Sequence, residues 1–187
     1  MPQPPSTAFE ALADPAGVGP RVTALRQERG LSLSEVARRA GVGKATLSGL
    51  EAGTRNPTLD TLYAIASALQ VPLTAVLADP GVRGPLIRGV AAQVEPLRTW
   101  TESDVTYELF RLTVAAGDSQ ESPPHHAGVT ECVVVFAGEL VVGPLDRPVR
   151  VSAGGFAEWP ADVRHGYRAV GAADVQATLL IRSPVVR

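Results

Sequence analysis

The stretch that decides the fold of the first half is GLSLSEVARRAGVGKATLSGLEAG, residues 30–53. Ser32 and Glu35 have the spacing of a capping box, in which each side chain satisfies a free amide at the start of a helix. Gly41 supplies a turn, and Gly53 ends the next helical pattern. The stretch therefore predicts two short helices joined by a tight turn.

Helical periodicity continues on both sides of this stretch. We expect five short helices, which begin near Pro20, at Ser32, near Lys44, at Thr58 and near Pro72. The first would end at Arg29. Their apolar positions recur at the spacing of one helix face. The residues predicted to be buried are Val22, Leu25, Val36, Ala37, Ala40, Leu47, Leu50, Leu59, Leu62, Ile65, Ala66, Leu69, Leu73 and Val76.

These residues resemble the Cro/repressor-type (xenobiotic-response-element, XRE) helix-turn-helix family, and the resemblance extends to Leu73. Leu47 and Leu50 would fix the third helix across the bundle and leave its other face for the major groove of DNA. The resemblance implies base-edge contacts by Lys44, Ala45, Ser48 and Gly49, phosphate contacts by Thr46 and Arg55, and outer electrostatic contacts by Arg26 or Arg38.

The chain departs from the usual pattern of this family at Leu33, Gly43 and Gly49, where polar residues are common. Only Lys44 is then a strong donor for a base, so specificity is expected to depend on dimer spacing and DNA shape. The alternative is a five-helix bundle that serves protein interaction and has lost DNA binding.

The periodicity changes to two in the second half, where short strands alternate with Gly or Pro turns. This pattern favours a sandwich or barrel. The predicted strands are Leu86 to Val90, Val105 to Arg111, Cys132 to Phe136, Glu139 to Val142, Val149 to Val151, Phe156 to Trp159 and Gln176 to Ile181.

All three histidines fall in two short motifs of this half, at residues 117–138 and 154–165. The motifs resemble those of cupins, G…HxHx(3–4)Ex(6)G and Gx(5)PxGxxH, which implies a double-stranded β-helix, or jelly-roll barrel. Gly154, Pro160 and His165 match the second motif, with Asp162 in place of its second Gly.

The first cupin motif is incomplete, since only one of its two His positions is filled whichever of His125 and His126 is aligned. Adjacent strand residues point to opposite faces, so both cannot enter the barrel from a regular strand. One of this pair, with Glu131 and His165, could bind Mn, Fe, Ni or Zn. Alternatively the polar groups line a metal-free pocket, or the His pair lies in a solvated loop. Apolar walls for a small ligand are offered by Phe110, Phe136, Trp159 and Tyr167.

The resemblances divide the chain into a flexible segment (1–15), a DNA-binding domain (16–79), a linker with the first barrel strand (80–100) and a cupin domain (101–187). The net charge is −2, but residues 16–80 carry seven basic and five acidic side chains, a weak sign of a DNA-binding head. A single cysteine, Cys132, excludes a disulfide framework. Neither a secretory signal nor a membrane span is evident, so we expect a cytoplasmic protein.

The order of the two domains is similar to that of many bacterial regulators whose barrel dimerises and senses a small molecule. We therefore expect a non-enzymatic homodimer that binds an inverted-repeat operator. One rival is a metal-dependent oxygenase, because at least one epoxidase family pairs a repressor-like domain with a two-His, one-carboxylate cupin. A further rival is a DNA-binding protein whose cupin only dimerises.

Overall fold

The computed structural model describes residues 15–77, 87–88 and 91–185. The N-terminal part consists of five helices, as the sequence predicts. They are α1 (Pro15–Glu28), α2 (Leu33–Ala40), α3 (Lys44–Glu51), α4 (Leu59–Leu69) and α5 (Leu73–Leu77). The flexible segment predicted for residues 1–15 lies outside the described residues, except for its last residue, which begins α1.

Helix α1 begins five residues earlier than predicted. Pro20, the predicted start, lies inside the helix, which continues N-terminal to it. Val18 is buried, and a Cβ on Gly19 would lie 2.4 Å from the carbonyl oxygen of Leu50. The absent side chain therefore allows α1 to cross the last turn of α3 in close contact.

The predicted start of α2 is half correct. The Ser32 hydroxyl accepts a hydrogen bond from the Glu35 amide at 3.1 Å, as an N-cap should. The Glu35 carboxylate, however, accepts hydrogen bonds from Arg38 and Arg39. Basic partners within one helical turn thus take the place of the second capping-box bond. The two guanidinium groups lower the pKa of Glu35 to about 2.

The helical core follows the predicted apolar face. Thr58 caps α4 by accepting from the Thr61 amide at 3.3 Å, and Gly41 has the left-handed φ of 65° that its turn requires. Of the residues predicted to be buried, Leu25 and Ala40 are only partly buried. All the other predicted residues are buried in the core: Val22, Val36, Ala37, Leu47, Leu50, Leu59, Leu62, Ile65, Ala66, Leu69, Leu73 and Val76.

The C-terminal part is built from two antiparallel sheets that enclose a second core. Its strands are β1 (Ile87–Arg88), β2 (Ala92–Glu102), β3 (Val105–Val114), β4 (Ser119–Ser122), β5 (Thr130–Ala137), β6 (Glu139–Pro144), β7 (Val149–Ser152), β8 (Phe156–Pro160), β9 (His165–Ala169) and β10 (Val175–Pro184). One sheet has the order β1-β2-β3-β10-β5-β8, and the other has the order β4-β9-β6-β7. Such a pair of sheets is a jelly roll.

Three of these strands were not predicted. Most of β2 falls in the stretch assigned to the linker, because Pro96 obscures the strand pattern. The ladder with β3 shifts register between Pro96 and Arg98, which accommodates the Pro at a bulge. Strand β4 is polar throughout, and β9 contains Gly166, so neither has the usual composition of a strand. The chain therefore enters the barrel before residue 101.

Within the part of the chain that the structure describes, every helix is too short or too polar to cross a membrane.

Candidate DNA-binding surface and barrel site

Helix α3 presents one face away from the helical core. Lys44, Ala45 and Ser48 are exposed on it, and Thr46 and Gly49 are partly exposed. Gly43 occupies the N-cap position without a side-chain hydrogen bond, as its lack of a side chain requires. The residues that the resemblance assigns to base edges therefore share one accessible surface.

Two arginines of the expected DNA-binding set are accessible as well, the phosphate contact Arg55 and the outer electrostatic contact Arg38. Arg55 is exposed in the loop that follows α3. Arg38 forms an ion pair with Glu35 at 2.8 Å, but its side chain remains 71% exposed. An exposed pair of this kind contributes little to stability, so Arg38 can exchange its carboxylate for a phosphate at small cost.

Of Arg26 and Arg38, the two alternatives for an outer electrostatic contact, Arg26 has a structural role. Its guanidinium binds both carboxylate oxygens of Glu51, at 2.7 and 2.9 Å, and donates to the Leu31 carbonyl at 3.0 Å. The hydrogen bond that Arg26 donates to the Glu51 carboxylate raises the pKa of Arg26. Because this bidentate pair ties α1 to α3, the side chain stabilises the bundle instead of reaching toward a ligand.

The barrel brings three of the four predicted metal ligands together. The Nε2 atom of His125 lies 2.7 Å from Oε1 of Glu131, and Nε2 of His165 lies 3.5 Å from the same oxygen. One donor atom from each residue lies within 4.8 Å of the other two. Alternation along β5 and β9 directs Glu131 and His165 inward, while His125 enters from the loop before β5.

The ring of His165 is oriented by a bond outside the cluster. Its Nδ1 lies 2.8 Å from the carbonyl oxygen of Val163, so Nδ1 carries the proton in the neutral ring. Its Nε2 is completely buried and has no hydrogen-bond partner among the described residues. A buried lone pair of this kind, beside a second imidazole and a carboxylate, matches the donor set of a divalent metal.

The carboxylate of Glu131 and the imidazole of His165 shift each other's pKa values toward the charged forms. Burial alone would raise the pKa of Glu131, but the adjacent His165 and His125 lower it well below its usual range. Burial works to lower the pKa of His165, yet the Glu131 carboxylate raises it overall. Tyr167 donates its hydroxyl hydrogen to Oε2 of Glu131. Burial and that negative charge raise the pKa of Tyr167, so its hydroxyl remains a donor.

The fourth predicted ligand, His126, lies outside the cluster. Its ring contacts the carbonyl of Ala127 at 3.4 Å and faces a cleft between the two domains. Burial lowers the pKa of His126. Both histidines lie in the loop before β5, and only His125 of the pair reaches Glu131.

Three of the four predicted pocket walls line the barrel, and Phe136 does not. Phe110, Trp159 and Tyr167 are buried inside, whereas Phe136 is 60% exposed on the outer face of the larger sheet. Phe136 points outward because side chains alternate between the two faces along β5. Glu131 points inward, so Phe136, five positions later, must point outward. The assignment of Phe136 to the pocket was wrong.

Sequence reasoning missed the residues that join the helical domain to the barrel. The ring of Tyr63 meets the ring of His125 edge-on, with centroids 4.9 Å apart. The Gln120 amide donates to Asp60 at 2.6 Å, and the carboxylate of buried Glu108 accepts from the Thr74 amide at 2.7 Å. The available signal was a set of polar residues at inward positions of β3 and β4, which apolar packing alone does not explain.

Comparisons with known proteins agree with this architecture. The family model HTH_3, helix-turn-helix, matches residues 22–76, and the family model Cupin_2, cupin domain, matches residues 110–181. A crystal structure of an HTH_3 family transcriptional regulator from Vibrio cholerae is similar over 92% of this chain and 97% of that one. Its TM-score is 0.76 and its sequence identity is 25%.

Curated relatives lead to the same class. The chain is 50% identical over 54 residues to the uncharacterized HTH-type transcriptional regulator y4dJ of Sinorhizobium fredii. This match covers 29% of this chain and 70% of the relative. The chain is also 35% identical over 162 residues to the HTH-type transcriptional regulator SutR of Escherichia coli (strain K12), covering 86% of this chain and 91% of the relative. The chain therefore belongs to the XRE-type, DNA-binding transcriptional regulators in which a helix-turn-helix domain precedes a cupin domain.

Proposed function

We propose that the protein binds an inverted-repeat operator as a homodimer held together by its barrels, and that the barrel site senses a divalent metal or a small molecule. The observation that carries the sensing role is the contact of Tyr63 with His125. Through this contact His125, a residue that could bind the metal in the barrel, touches the DNA-binding domain directly.

In the proposed complex, α3 lies in the major groove with Lys44, Ala45, Ser48 and Gly49 toward base edges. Lys44 is the strong donor of this set and suits guanine, whose O6 and N7 both accept. Thr46 and Arg38 lie near phosphates and set the position of the helix without selecting a sequence.

In the barrel, His125, Glu131 and His165 would hold Mn, Fe, Ni or Zn as a two-His, one-carboxylate set. The bound metal would supply positive charge and coordination positions open to a small ligand. The chain supplies orientation, since Val163 fixes the His165 ring and Tyr167 fixes the Glu131 carboxylate. Outer partners of this kind commonly tune affinity for the metal.

A small organic effector would lie on the apolar side of the same site. Trp159 and Tyr167 meet edge-on with ring centroids 6.0 Å apart, and Phe110 is completely buried in the barrel core. The indole Nε1 of Trp159 is buried and has no hydrogen-bond partner among the described residues. An effector with an acceptor group would satisfy it.

The route from the barrel site to the DNA runs through α4. Asp60, Tyr63 and Ser67 recur at helical spacing and contact Gln120, His125 and the Pro124 carbonyl respectively. One face of α4 therefore rests on the barrel, while its other residues pack in the helical core. A ligand that repositions His125 would alter this contact and bias the placement of α3.

The dimer would form through the outer face of the larger sheet. Phe136 and Phe156 are 60% and 59% exposed there, and Val134 is the cross-strand partner of Phe156. Arg182 and Glu158, 4.0 Å apart on the same sheet, offer both charges to a symmetric copy. A second copy suits this face because two heads on one duplex must be held about 34 Å apart, or a multiple of that distance.

Selection of bound DNA from a random pool tests the regulatory function, with the full chain carrying or lacking metal. We expect enrichment of an inverted repeat. The two-His, one-carboxylate set also favours one rival, a metal-dependent oxygenase. Stoichiometric iron with turnover of an organic substrate, and a pool that remains unselected, would establish that rival instead.

A further inference from the structure

The side chain of Arg55 lies across the bare backbone of Gly49 on α3. Its Cγ and Cδ atoms are each 3.1 Å from the point where a Cβ of residue 49 would be. Arg55 follows α3 in the chain, yet its aliphatic stem packs against the point on this helix where a side chain is lacking. The absence of a side chain at residue 49 therefore makes room for Arg55.

Hydrogen bonds to one carbonyl fix the loop that carries Arg55. The Gly49 oxygen accepts from the Thr54 amide at 2.8 Å, from the Thr54 hydroxyl at 3.0 Å and from the Arg55 amide at 3.1 Å. The start of the arginine side chain is thus positioned before any ligand arrives. Less conformational entropy is lost on binding when a side chain is already placed.

The guanidinium of Arg55 is available to a ligand. Among the residues that the structure describes, no carboxylate forms an ion pair with it, whereas Arg38 and Arg39 share Glu35. It also belongs to the correct surface, since Gly49 lies four residues beyond exposed Ala45, another residue that the resemblance assigns to base edges. Residues four positions apart lie on the same face of a helix.

We propose that Arg55 reads a base edge through the major groove, and that Gly49 is the residue that positions it. An arginine can donate two hydrogen bonds to O6 and N7 of a guanine, which is the commonest specific contact to a base. Arg55 would thus replace the long polar residue that relatives carry late in the recognition helix. The resemblance alone placed it near a phosphate. The inference rests on the DNA-binding role of the helical domain.

Selection from a random DNA pool, followed by titration of the selected operator and its single-base variants, tests this assignment. The Arg55→Ala variant should lose about 5- to 150-fold discrimination at one base pair of each half-site. The Arg55→Lys variant keeps the charge but loses the two-pronged geometry, so it should lose discrimination at the same position while its affinity for unrelated DNA is kept.

Gly49→Ala supplies the independent arm, because the new methyl group would lie 3.1 Å from the Arg55 stem, closer than ordinary contact, and would push it away from the helix. Ala is a better helix former than Gly, so the variant should melt no lower than wild type and still lose discrimination at that base pair. Arg39→Ala removes the same charge from α2 and should leave the preference unchanged.

A uniform loss of affinity for all sequences in Arg55→Ala, with the slope of log K against log salt reduced by about one, would overturn the assignment in favour of a phosphate contact. Unchanged discrimination in Gly49→Ala would overturn the positioning role. Failure of wild type to select any sequence would contradict the DNA-binding role itself.

Discussion

The ring of Tyr63, from the helical domain, meets the ring of His125, from the barrel, edge-on at a centroid distance of 4.9 Å. Tyr63 is buried, and His125 also binds the Glu131 carboxylate at 2.7 Å. His125 therefore contacts both the barrel cluster and the DNA-binding domain. Coupling needs an element whose arrangement both sites influence, and α4 with Tyr63 on its barrel-facing side is that element in our account.

The first prediction concerns the recognition helix. Lys44→Ala should weaken binding to the selected operator by about 1–3 kcal/mol and blur the preference at one base pair, because a donor to a base edge is removed. The measurement is titration of the operator and of its single-base variants. Arg168→Ala, which removes one positive charge from an exposed position of β9, is the matched control. Wild-type affinity and preference in Lys44→Ala would show that the recognition face is assigned incorrectly.

The second prediction separates a structural arginine from a DNA contact. Arg26→Ala should lower the free energy of unfolding by roughly 1–3 kcal/mol, because it leaves Glu51 partly buried without its partner. Urea denaturation measures this change. Arg29→Ala, whose bonds are exposed, should change stability by less than about 0.5 kcal/mol. The salt dependence of DNA binding should be the same as in wild type, and a slope reduced by about one would restore Arg26 as a phosphate contact.

The third prediction concerns the barrel cluster. Glu131→Gln and His165→Ala should abolish stoichiometric binding of Mn, Fe, Ni or Zn, because each removes one of three ligands. His126→Ala is the control and should retain the metal, since its ring lies away from Glu131. Metal analysis of reconstituted protein, purified without an affinity tag, decides the matter. Metal-free wild type would leave a pocket without metal, and loss of metal in His126→Ala would contradict the ligand set assigned here.

Sequence patterns predicted the helical domain more completely than the barrel. Capping residues such as Ser32 and Thr58 mark helix starts locally, and apolar spacing marks the buried face without knowledge of the fold. Strand β2 was hidden because Pro96 is tolerated only at a bulge, and a bulge depends on the partner strand. Strand β4 was hidden because its inward Gln120 bonds across the domain junction to Asp60.

The candidate barrel site was predictable in part for a similar reason. His165 and Glu131 could be assigned because each lies in a motif with fixed spacing. The choice between His125 and His126 depended on the path of the loop before β5. The sequence of two adjacent histidines does not reveal that path. Phe136 could have been excluded, since alternation from Glu131 places it on the outer face. The contact of Tyr63 with His125 could not be predicted from the sequence, because the two residues lie in different domains.

The fourth prediction concerns the outer face of the barrel. Phe136→Ser should convert the dimer to a monomer and weaken operator binding, because it removes a large apolar side chain from the proposed interface. Light scattering of the full chain measures the mass. Leu145→Ser is the control, as Leu145 is exposed beside the smaller sheet and should not affect the dimer. A monomeric wild type, or a dimeric Phe136→Ser, would contradict this interface.

The fifth prediction concerns the residue that joins the two domains. Tyr63→Leu keeps an apolar side chain against the core but removes the ring that meets His125. The variant should still bind metal and operator, but its operator affinity should respond less to metal than that of wild type. Tyr63→Phe retains the ring and should keep the wild-type response. A full response in Tyr63→Leu would show that coupling does not pass through this contact.

The central claim is that the barrel site and the DNA-binding surface influence each other. Titration of wild type with its selected operator, with and without saturating metal, tests it most directly. The account predicts that metal changes the operator Kd by about 5- to 150-fold, and that saturating operator changes the affinity for metal by the same factor. An operator Kd that is identical in metal-bound and metal-free protein would contradict the account.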